Sequence, residues 1–149
     1  MARRHGFTLV EALIVLVVVS LTLLIALPKF SDAVAQSNLT SARTKVTSLY
    51  ASARSSAASS GRTAWVHFAG DRVYVTATPR RKLPTAGNSQ DTLTPPEDVY
   101  TQYGVDVTSD KDSIKIDPAG LGRDSAFILL TKGSRVDTVR ISRYGRVQK

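Results

Sequence analysis

The sequence of 149 residues contains no cysteine, only two histidines and a single tryptophan. The absence of cysteine excludes a disulfide scaffold, a thiolate metal site and a cysteine nucleophile. With only His5 and His67 present, a multi-histidine metal site is nearly excluded as well. The length suggests one domain, and no residue set typical of catalysis is present. We therefore expect neither an enzyme nor a bound cofactor or metal.

Acidic residues are also few, because 12 Asp and Glu stand against 20 Lys and Arg, for a net charge of +8. Such an excess favours an acidic partner, which is a nucleic acid, an anionic lipid or an acidic protein. The mean hydropathy of −0.07 is ordinary for a soluble globular protein. This average hides how unevenly the apolar residues are distributed.

A continuous apolar segment runs from Phe7 to Leu27 and contains one charged residue, Glu11. A helix of this length covers about 30 Å, the hydrocarbon thickness of a bilayer. Arg3 and Arg4 precede it, which predicts a cytoplasmic N-terminus and a chain that continues across the membrane. The alternatives are a buried helix of a soluble domain and a cleaved secretory signal. The segment is long for either, and no small-x-small cleavage site follows it.

Glu11 is the residue that distinguishes this segment from a plain membrane anchor. A carboxylate among lipid tails costs at least about 2.5–3.5 kcal/mol on insertion scales, so a functional role is the first hypothesis. The alternative is that Glu11 lies at the membrane interface, where the dipole of the first helical turns also favours an anion.

The motif Gly6-Phe7-Thr8-Leu9-Val10-Glu11, followed by the apolar run, resembles the signal of type IV pilins and type II secretion pseudopilins. The resemblance implies that a prepilin peptidase cuts between Gly6 and Phe7 and methylates the amine of Phe7. It implies that Glu11 then pairs with the Phe7 amine of a neighbouring subunit. Pro28 falls where many pilins have a helix-bending proline. The implied organisation is a leader (1–6), a transmembrane and filament-core helix (7–28) and a periplasmic domain (29–149).

Beyond Pro28 the pattern becomes amphipathic, and we predict that one helix continues to about Ser60, with Gly61 just past its end. Apolar residues recur at steps of three and four, which predicts a buried stripe. Its members are Leu39, Ala42, Val46, Leu49, Tyr50, Ala53 and Ala57.

After Gly61 the period changes to two, which predicts strands. We predict a loop over 79–96 and one or two short strands over 99–107. The fold class is therefore α+β, with one long N-terminal helix packed on an antiparallel sheet. The predicted strands are 63–68 and 72–76, joined as a hairpin, and 113–117, 126–131 and 135–142.

Three further patterns resemble the GspH/FimT class of minor pseudopilins and minor pilins. They are Ala51-x-Ala53-Arg54, Ile116-Asp117-Pro118-x-Gly120 and Gly145-Arg146-Val147. The resemblance implies a structural subunit whose partners are other pilin-like subunits in a filament, the prepilin peptidase and the inner membrane. Some DNA-binding members of the class have a C-terminal Gly-Arg-x-Arg, whereas here Gln148 follows Val147.

The C-terminal segment concentrates the basic residues. Arg140, Arg143, Arg146 and Lys149 are candidates for a strip that binds DNA or an acidic partner, and 80–82 (Arg-Arg-Lys) could extend it. A basic run without a motif favours the alternative, which is a solvated basic face or one that meets acidic neighbours in a filament.

The remaining candidates have simpler interpretations. The acids Asp106, Asp110, Asp112 and Asp117 lack calcium-loop spacing, so a solvated loop is expected. His67 is expected to be a hydrogen-bonded or exposed strand histidine. The aromatic residues predicted as core or half-buried sheet positions are Trp65, Phe68, Tyr74 and Phe127.

Overall fold

The computed structural model of the protein describes residues 8–79 and 90–148. The chain divides into two units between Ala35 and Gln36. The elements are α1 (Leu9–Ser60), β1 (Ala64–Ala69), β2 (Arg72–Ala77), β3 (Asp91–Asp98), α2 (Val99–Tyr103), β4 (Asp106–Ser109), β5 (Ser113–Ile116), β6 (Ala126–Lys132), β7 (Arg135–Ile141) and β8 (Val147–Gln148).

Helix α1 confirms the predicted helix almost to its ends. It begins after Thr8, passes through Pro28 and ends at Ser60, where Gly61 has a left-handed φ of 63°. Glycine adopts this conformation without the Cβ penalty of other residues, so it stops the helix. All seven residues of the predicted stripe are buried. The amphipathic half of the helix therefore belongs to the core of the second unit.

The first sheet has the strand order β3-β2-β1-β5, with all neighbours antiparallel. Strands β1 and β2 form the predicted hairpin, in register from Ala64 opposite Ala77 to Ala69 opposite Arg72. The free edge of β5 is closed by a bridge from Ile116 to Gly122.

The second sheet has the order β4-β6-β7-β8 and is also antiparallel. Strand β6 is central, as its apolar sequence predicted. The two sheets are joined at Asp71, whose carboxylate accepts the amide of Val107 at 2.9 Å and whose carbonyl accepts the amide of Val99 at 2.9 Å. The fold class is α+β as predicted, with two sheets rather than one.

The predicted loop over 79–96 is wrong in its second part. Residues 91–98 form the edge strand β3 instead of a loop, since Pro95 and Pro96 lack N–H groups but are tolerated on an edge. Residues 80–89 of the predicted loop, including the basic run 80–82, lie outside the described residues.

Of the one or two short strands predicted over 99–107, one is confirmed as β4, which begins at Asp106, whereas residues 99–103 form the short helix α2. The Asp98 carboxylate caps it by accepting the amide of Thr101 at 2.8 Å, and this hydrogen bond holds the pKa of Asp98 below its ordinary value. Gly104 ends the helix with a left-handed φ of 61°.

One core joins the amphipathic half of α1 to both sheets. Its largest fully buried side chains include Tyr50 and Leu39 from the helix and Ile114, Ile128 and Ile141 from the strands. With no cysteine in the chain, this packing and its hydrogen bonds hold the second unit together.

Candidate functional site

Glu11 lies in the first turn of α1, three residues after Thr8. The backbone N–H of Glu11 donates to the hydroxyl of Thr8 at 3.2 Å. Thr-x-x-Glu is the spacing of a capping box, in which the hydroxyl satisfies one of the four orphan N–H groups of a helix start. The predicted cleavage and methylation residues, Gly6 and Phe7, lie outside the described residues.

The apolar first half of α1 is exposed around its circumference. Its large apolar side chains between Leu9 and Leu27 are all exposed, from 48% at Val19 to 80% at Leu9. The most apolar stretch of 18 residues in α1 has a mean hydropathy of 2.9, and none of its residues is buried. This helix is long and apolar enough to cross a membrane.

The two hydroxyl residues within the apolar half bond back to the helix. Ser20 donates to the carbonyl of Leu16 and Thr22 donates to that of Val18, each at 2.8 Å. Both hydroxyl hydrogens are therefore satisfied without water, as a lipid or protein environment requires. Pro28 lies inside the continuous helix, so the predicted helix bend at Pro28 stays a prediction.

The basic residues of the C-terminal segment surround one turn between β7 and β8. The turn is closed by the amide of Ser142, which donates to the carbonyl of Arg146 at 2.8 Å, and it presents Arg143 and Tyr144 to solvent. Arg140 faces outward from β7, between the buried Val139 and Ile141, as alternation predicted. Lys149 lies outside the described residues.

Five cations among the described residues form ion pairs with carboxylates, and the arginines of this segment are not among them. The five are Arg43, Lys45, Arg62, Arg72 and Lys111. Within residues 8–79 and 90–148, no carboxylate lies within 4 Å of Arg140, Arg143 or Arg146. The positive charge of the turn is thus uncompensated by described acids, which suits an anionic partner.

Arg54 of α1 connects this turn to the turn that follows β5. Its Nε donates to the carbonyl of Gly120 at 2.7 Å, and its Nη1 donates to the carbonyl of Gly145 at 3.0 Å. These are residues of the three separate patterns that resemble the GspH/FimT class. The sequence did not predict this long-range contact, and its one signal was a single arginine within the alanine- and serine-rich segment 51–60.

Tyr50 lies one helical turn before Arg54 and is buried beneath the same turns. A Cβ on Gly122 would lie 2.9 Å from the Tyr50 hydroxyl, and one on Gly145 would lie 3.0 Å from it. This hydroxyl has no hydrogen-bond partner among the described residues. Burial raises the pKa of Tyr50, and the charge of Arg54 opposes that shift.

His67 is a hydrogen-bonded strand histidine, as predicted. Its Nε2 lies 2.8 Å from the hydroxyl of Thr76, and its ring stacks on Tyr74 with centroids 4.7 Å apart. Burial lowers the pKa of His67, and a hydrogen bond with Gln90 opposes that shift. Phe68 is buried and Trp65 and Tyr74 are half-buried, also as predicted. For Phe127 the prediction is wrong, because this side chain is 43% exposed on the outer face of β6.

The acids of the predicted solvated loop are divided between several turns and strands. Asp110 accepts the amide of Phe127 at 2.8 Å, and Asp117 accepts the amides of Ala119 and Leu121. Among residues 8–79 and 90–148, no group of three or more His, Asp or Glu side chains is placed to hold a metal ion.

Comparisons with known proteins give one sequence match and two structural matches. Residues 1–27 match the family model described as the prokaryotic N-terminal methylation motif. The fold is similar to the type IV minor pilin FimU of Pseudomonas aeruginosa in one crystal form, with a TM-score of 0.58, 15% identity, and coverage of 76% of this chain and 88% of that chain. For a second crystal form of that protein the TM-score is 0.53 and the identity is 16%, with coverage of 73% of this chain and 90% of that chain. No curated protein matches the sequence.

Proposed function

We propose that this type IV pilin-like protein is a minor structural subunit of a filament, with no enzymatic activity and no cofactor. The subunit is held in the bacterial inner membrane by the first half of α1, with the second unit in the periplasm. The N-terminal methylation motif and the pilin-like fold support this proposal together.

The observation that carries the proposal is the exposed apolar surface of α1. A helix that is apolar all round is stable only when lipid or other helices cover it. The large apolar side chains from Leu9 to Leu27 are exposed in the single chain. The same surface therefore serves as membrane anchor before assembly and as helix-packing surface within a filament.

Glu11 supplies the specificity of assembly in this proposal. A carboxylate enters a helical core at an acceptable cost only when it is paired, because a lone buried charge is strongly destabilising. The resemblance assigns that pairing to the methylated amine of Phe7 on a neighbouring subunit. The hydroxyl of Thr8 accepts the backbone N–H of Glu11 and so holds the first turn of the helix that bears this carboxylate.

The first test is the processing and assembly of the full chain in cells with an active prepilin peptidase. We expect mass spectrometry to find Phe7 as a methylated N-terminus, and cross-linking to find the chain beside other pilin-like subunits. Glu11→Ala should abolish the cross-links, while Ser20→Ala in the same helix should leave them intact. An unprocessed Met1, or normal assembly of Glu11→Ala, would overturn the proposal.

The first candidate assembly for this subunit is the type II secretion pseudopilus, because the sequence resembles the GspH/FimT class. Deletion of the gene should then cause proteins destined for secretion to accumulate in the periplasm. If the deletion instead leaves secretion intact and impairs surface pili, the subunit belongs to a type IV pilus.

The second candidate is a type IV minor pilin that binds DNA for uptake. Two observations favour it. The first is the structural likeness to a type IV minor pilin. The second is that Arg140, Arg143 and Arg146 have no carboxylate partner among residues 8–79 and 90–148. Each arginine–phosphate contact releases counterions, so the affinity should fall steeply with salt.

The DNA hypothesis can be tested with the full chain in detergent micelles and a labelled duplex. The triple variant Arg140/Arg143/Arg146→Ala should lose binding at low salt, while Arg72→Ala, which removes a cation paired to Asp98, should keep it. Absence of binding at low salt, or equal binding by the triple variant, would reject this candidate.

A further inference from the structure

The turn between β7 and β8 places a tyrosine at its tip. The amide of Gly145 donates to the carbonyl of Ser142 at 2.8 Å, which makes Arg143 and Tyr144 the two central residues of a four-residue β-turn. Tyr144 is 76% exposed, more than any other aromatic residue that the structure describes. Its ring is therefore open to a ligand from solvent.

The Tyr144 ring is also free of contacts that would compete with a ligand. Within residues 8–79 and 90–148, it neither stacks on another ring nor lies under a cation. In contrast, His67 and Tyr74 stack on each other at 4.7 Å, and the ammonium of Lys115 lies over the Trp65 ring. A planar ligand can thus stack on Tyr144 without displacing an existing partner.

Hydrogen bonds hold the backbone of this turn in place. The amide of Ser142 donates to the carbonyl of Arg146 at 2.8 Å, and the amide of Arg146 donates to the hydroxyl of Ser142 at 3.0 Å. From α1, Nη1 of Arg54 donates to the carbonyl of Gly145 at 3.0 Å. The turn is therefore ordered before a ligand arrives, which lowers the entropic cost of binding.

Positive charge flanks the ring. Arg143 directly precedes Tyr144, Arg146 follows two residues later, and both are exposed. No carboxylate lies within 4 Å of either arginine in the described part of the chain. The neighbouring turn, which Arg54 also contacts, begins with one acid, Asp117, whose carboxylate accepts two backbone amides. The charge around Tyr144 therefore favours an anionic ligand.

A nucleic acid with unpaired bases combines the two properties that this turn can bind, namely a planar ring and phosphate charge. Aromatic side chains stack on bases whose faces are free, and guanidinium groups bind phosphate. We propose that the β7–β8 turn binds DNA at unpaired bases. One base stacks on Tyr144, while Arg143 and Arg146 contact the phosphates beside it. This specificity rests on the second candidate function above, in which the C-terminal arginines bind DNA.

Tyr144 and the arginines contribute differently to the two forms of DNA. The arginines contact phosphates, which both forms have, and the denser charge of a duplex favours the duplex. The bases inside a duplex are already stacked on their neighbours, so the Tyr144 ring gains a partner only where bases are unpaired. Tyr144 is therefore the residue that determines specificity, and the arginines supply affinity for either form.

The test compares two labelled strands that differ only in their bases. One is a short oligothymidylate, and the other is an abasic strand of the same length and phosphate charge. The full chain is kept in micelles of an uncharged detergent, and binding is followed by fluorescence anisotropy at several salt concentrations. We expect the oligothymidylate to bind about tenfold more tightly than the abasic strand.

Substitutions at the turn assign this preference to the ring. Tyr144→Ala should weaken the oligothymidylate about tenfold and change the abasic strand by no more than about twofold. Tyr144→Phe retains the ring and should retain the preference. The matched control Tyr100→Ala removes a tyrosine that is 54% exposed on α2 and should change neither affinity. Circular dichroism verifies the fold of each variant.

The salt dependence separates the ring from the charges. Arg143→Gln should weaken both strands by the same factor and reduce the slope of log affinity against log salt, because one phosphate contact is lost. Tyr144→Ala should leave that slope unchanged, since stacking releases no counterions.

The results that would overturn this specificity are distinct from those that would overturn DNA binding itself. Equal affinity for the two strands, or a preference that survives in Tyr144→Ala, would overturn the role of the ring and leave the arginines as a DNA site. A closed circular duplex that displaces the oligothymidylate at lower nucleotide concentration would reassign the turn to duplex DNA. Absence of binding to either strand at low salt would overturn both. None of these results bears on N-terminal processing or on assembly through Glu11.

Discussion

The guanidinium of Arg54 lies 3.0 Å from the carbonyl oxygen of Gly145, across 91 residues of sequence. The same side chain donates to the carbonyl of Gly120 at 2.7 Å. One helical residue thus fixes the turns that follow β5 and β7, including the turn that presents Arg143 and Arg146.

Replacing Arg54 should destabilise the second unit. Arg54→Ala removes two charge-assisted hydrogen bonds and leaves two carbonyls without their donor, for an expected loss of about 2–4 kcal/mol in the free energy of unfolding. Thermal unfolding followed by Trp65 fluorescence measures it. The control Arg43→Ala removes a partly exposed ion pair to Asp137 and should cost about 1 kcal/mol or less. Equal costs for the two variants would show that Arg54 has no special role.

Gly145→Ala should be more destabilising than Gly133→Ala. Both glycines have a left-handed φ, 76° and 60°, so each substitution introduces backbone strain of about 1–2 kcal/mol. A Cβ on Gly145 would also lie 3.0 Å from the Tyr50 hydroxyl and 3.2 Å from Arg54 Cζ, whereas nothing lies within 4 Å of one on Gly133. The difference between the melting temperatures of the two variants reports the contacts of the added Cβ with Tyr50 and Arg54. Equal melting temperatures would contradict this account.

Tyr50→Phe should leave the free energy of unfolding unchanged or raise it by about 1 kcal/mol. The buried hydroxyl loses its hydration on folding and finds no partner among the described residues, so its removal relieves an uncompensated cost. Chemical denaturation of the wild type and the variant compares them. A loss of more than about 1 kcal/mol in the variant would reveal a hydrogen bond to a bound water.

Acid should destabilise the fold through His67. Burial lowers the folded pKa of His67, so the unfolded chain binds its proton more readily than the folded one. The stabilising contribution is fully present above the ordinary pKa of about 6.5 and is lost as the pH falls from there through the folded pKa. Denaturation midpoints at pH 7.5, 6.5 and 5.5 should decrease in that order. His67→Gln should reduce the decrease, and an unchanged pH dependence in the variant would contradict the assignment.

The sequence predicted best those elements whose signal is periodic and local. The stripe from Leu39 to Ala57 has a helical period, and the β1–β2 hairpin alternates on both sides of Gly70, so both were found. Strand β3 was missed because Pro95 and Pro96 indicate a loop, and only pairing with β2 makes the segment a strand. Helix α2 was missed because its signal is a single cap, Asp98.

The contacts that organise the candidate sites could not be predicted in the same way. Arg54 meets Gly120 and Gly145 only after three distant segments have packed, and no local pattern encodes that meeting. The cross-strand neighbours of Trp65 and His67 likewise depend on the register of three strands. By contrast, the apolar exposed character of α1 follows from the composition of residues 9–27 alone.

The edge strands of the two sheets have a consequence for contacts between copies of the chain. At the free edge of β4 the amide of Val107 donates to the carboxylate of Asp71, and β5 is bridged to Gly122. Strand β3 contains Pro95 and Pro96, which cannot donate, and β8 is only two residues long. Neighbouring copies therefore have little opportunity to add strand to strand. In the filament proposed above, contacts between subunits then fall to the helix, because the sheets leave few unpaired strand groups through which copies could aggregate.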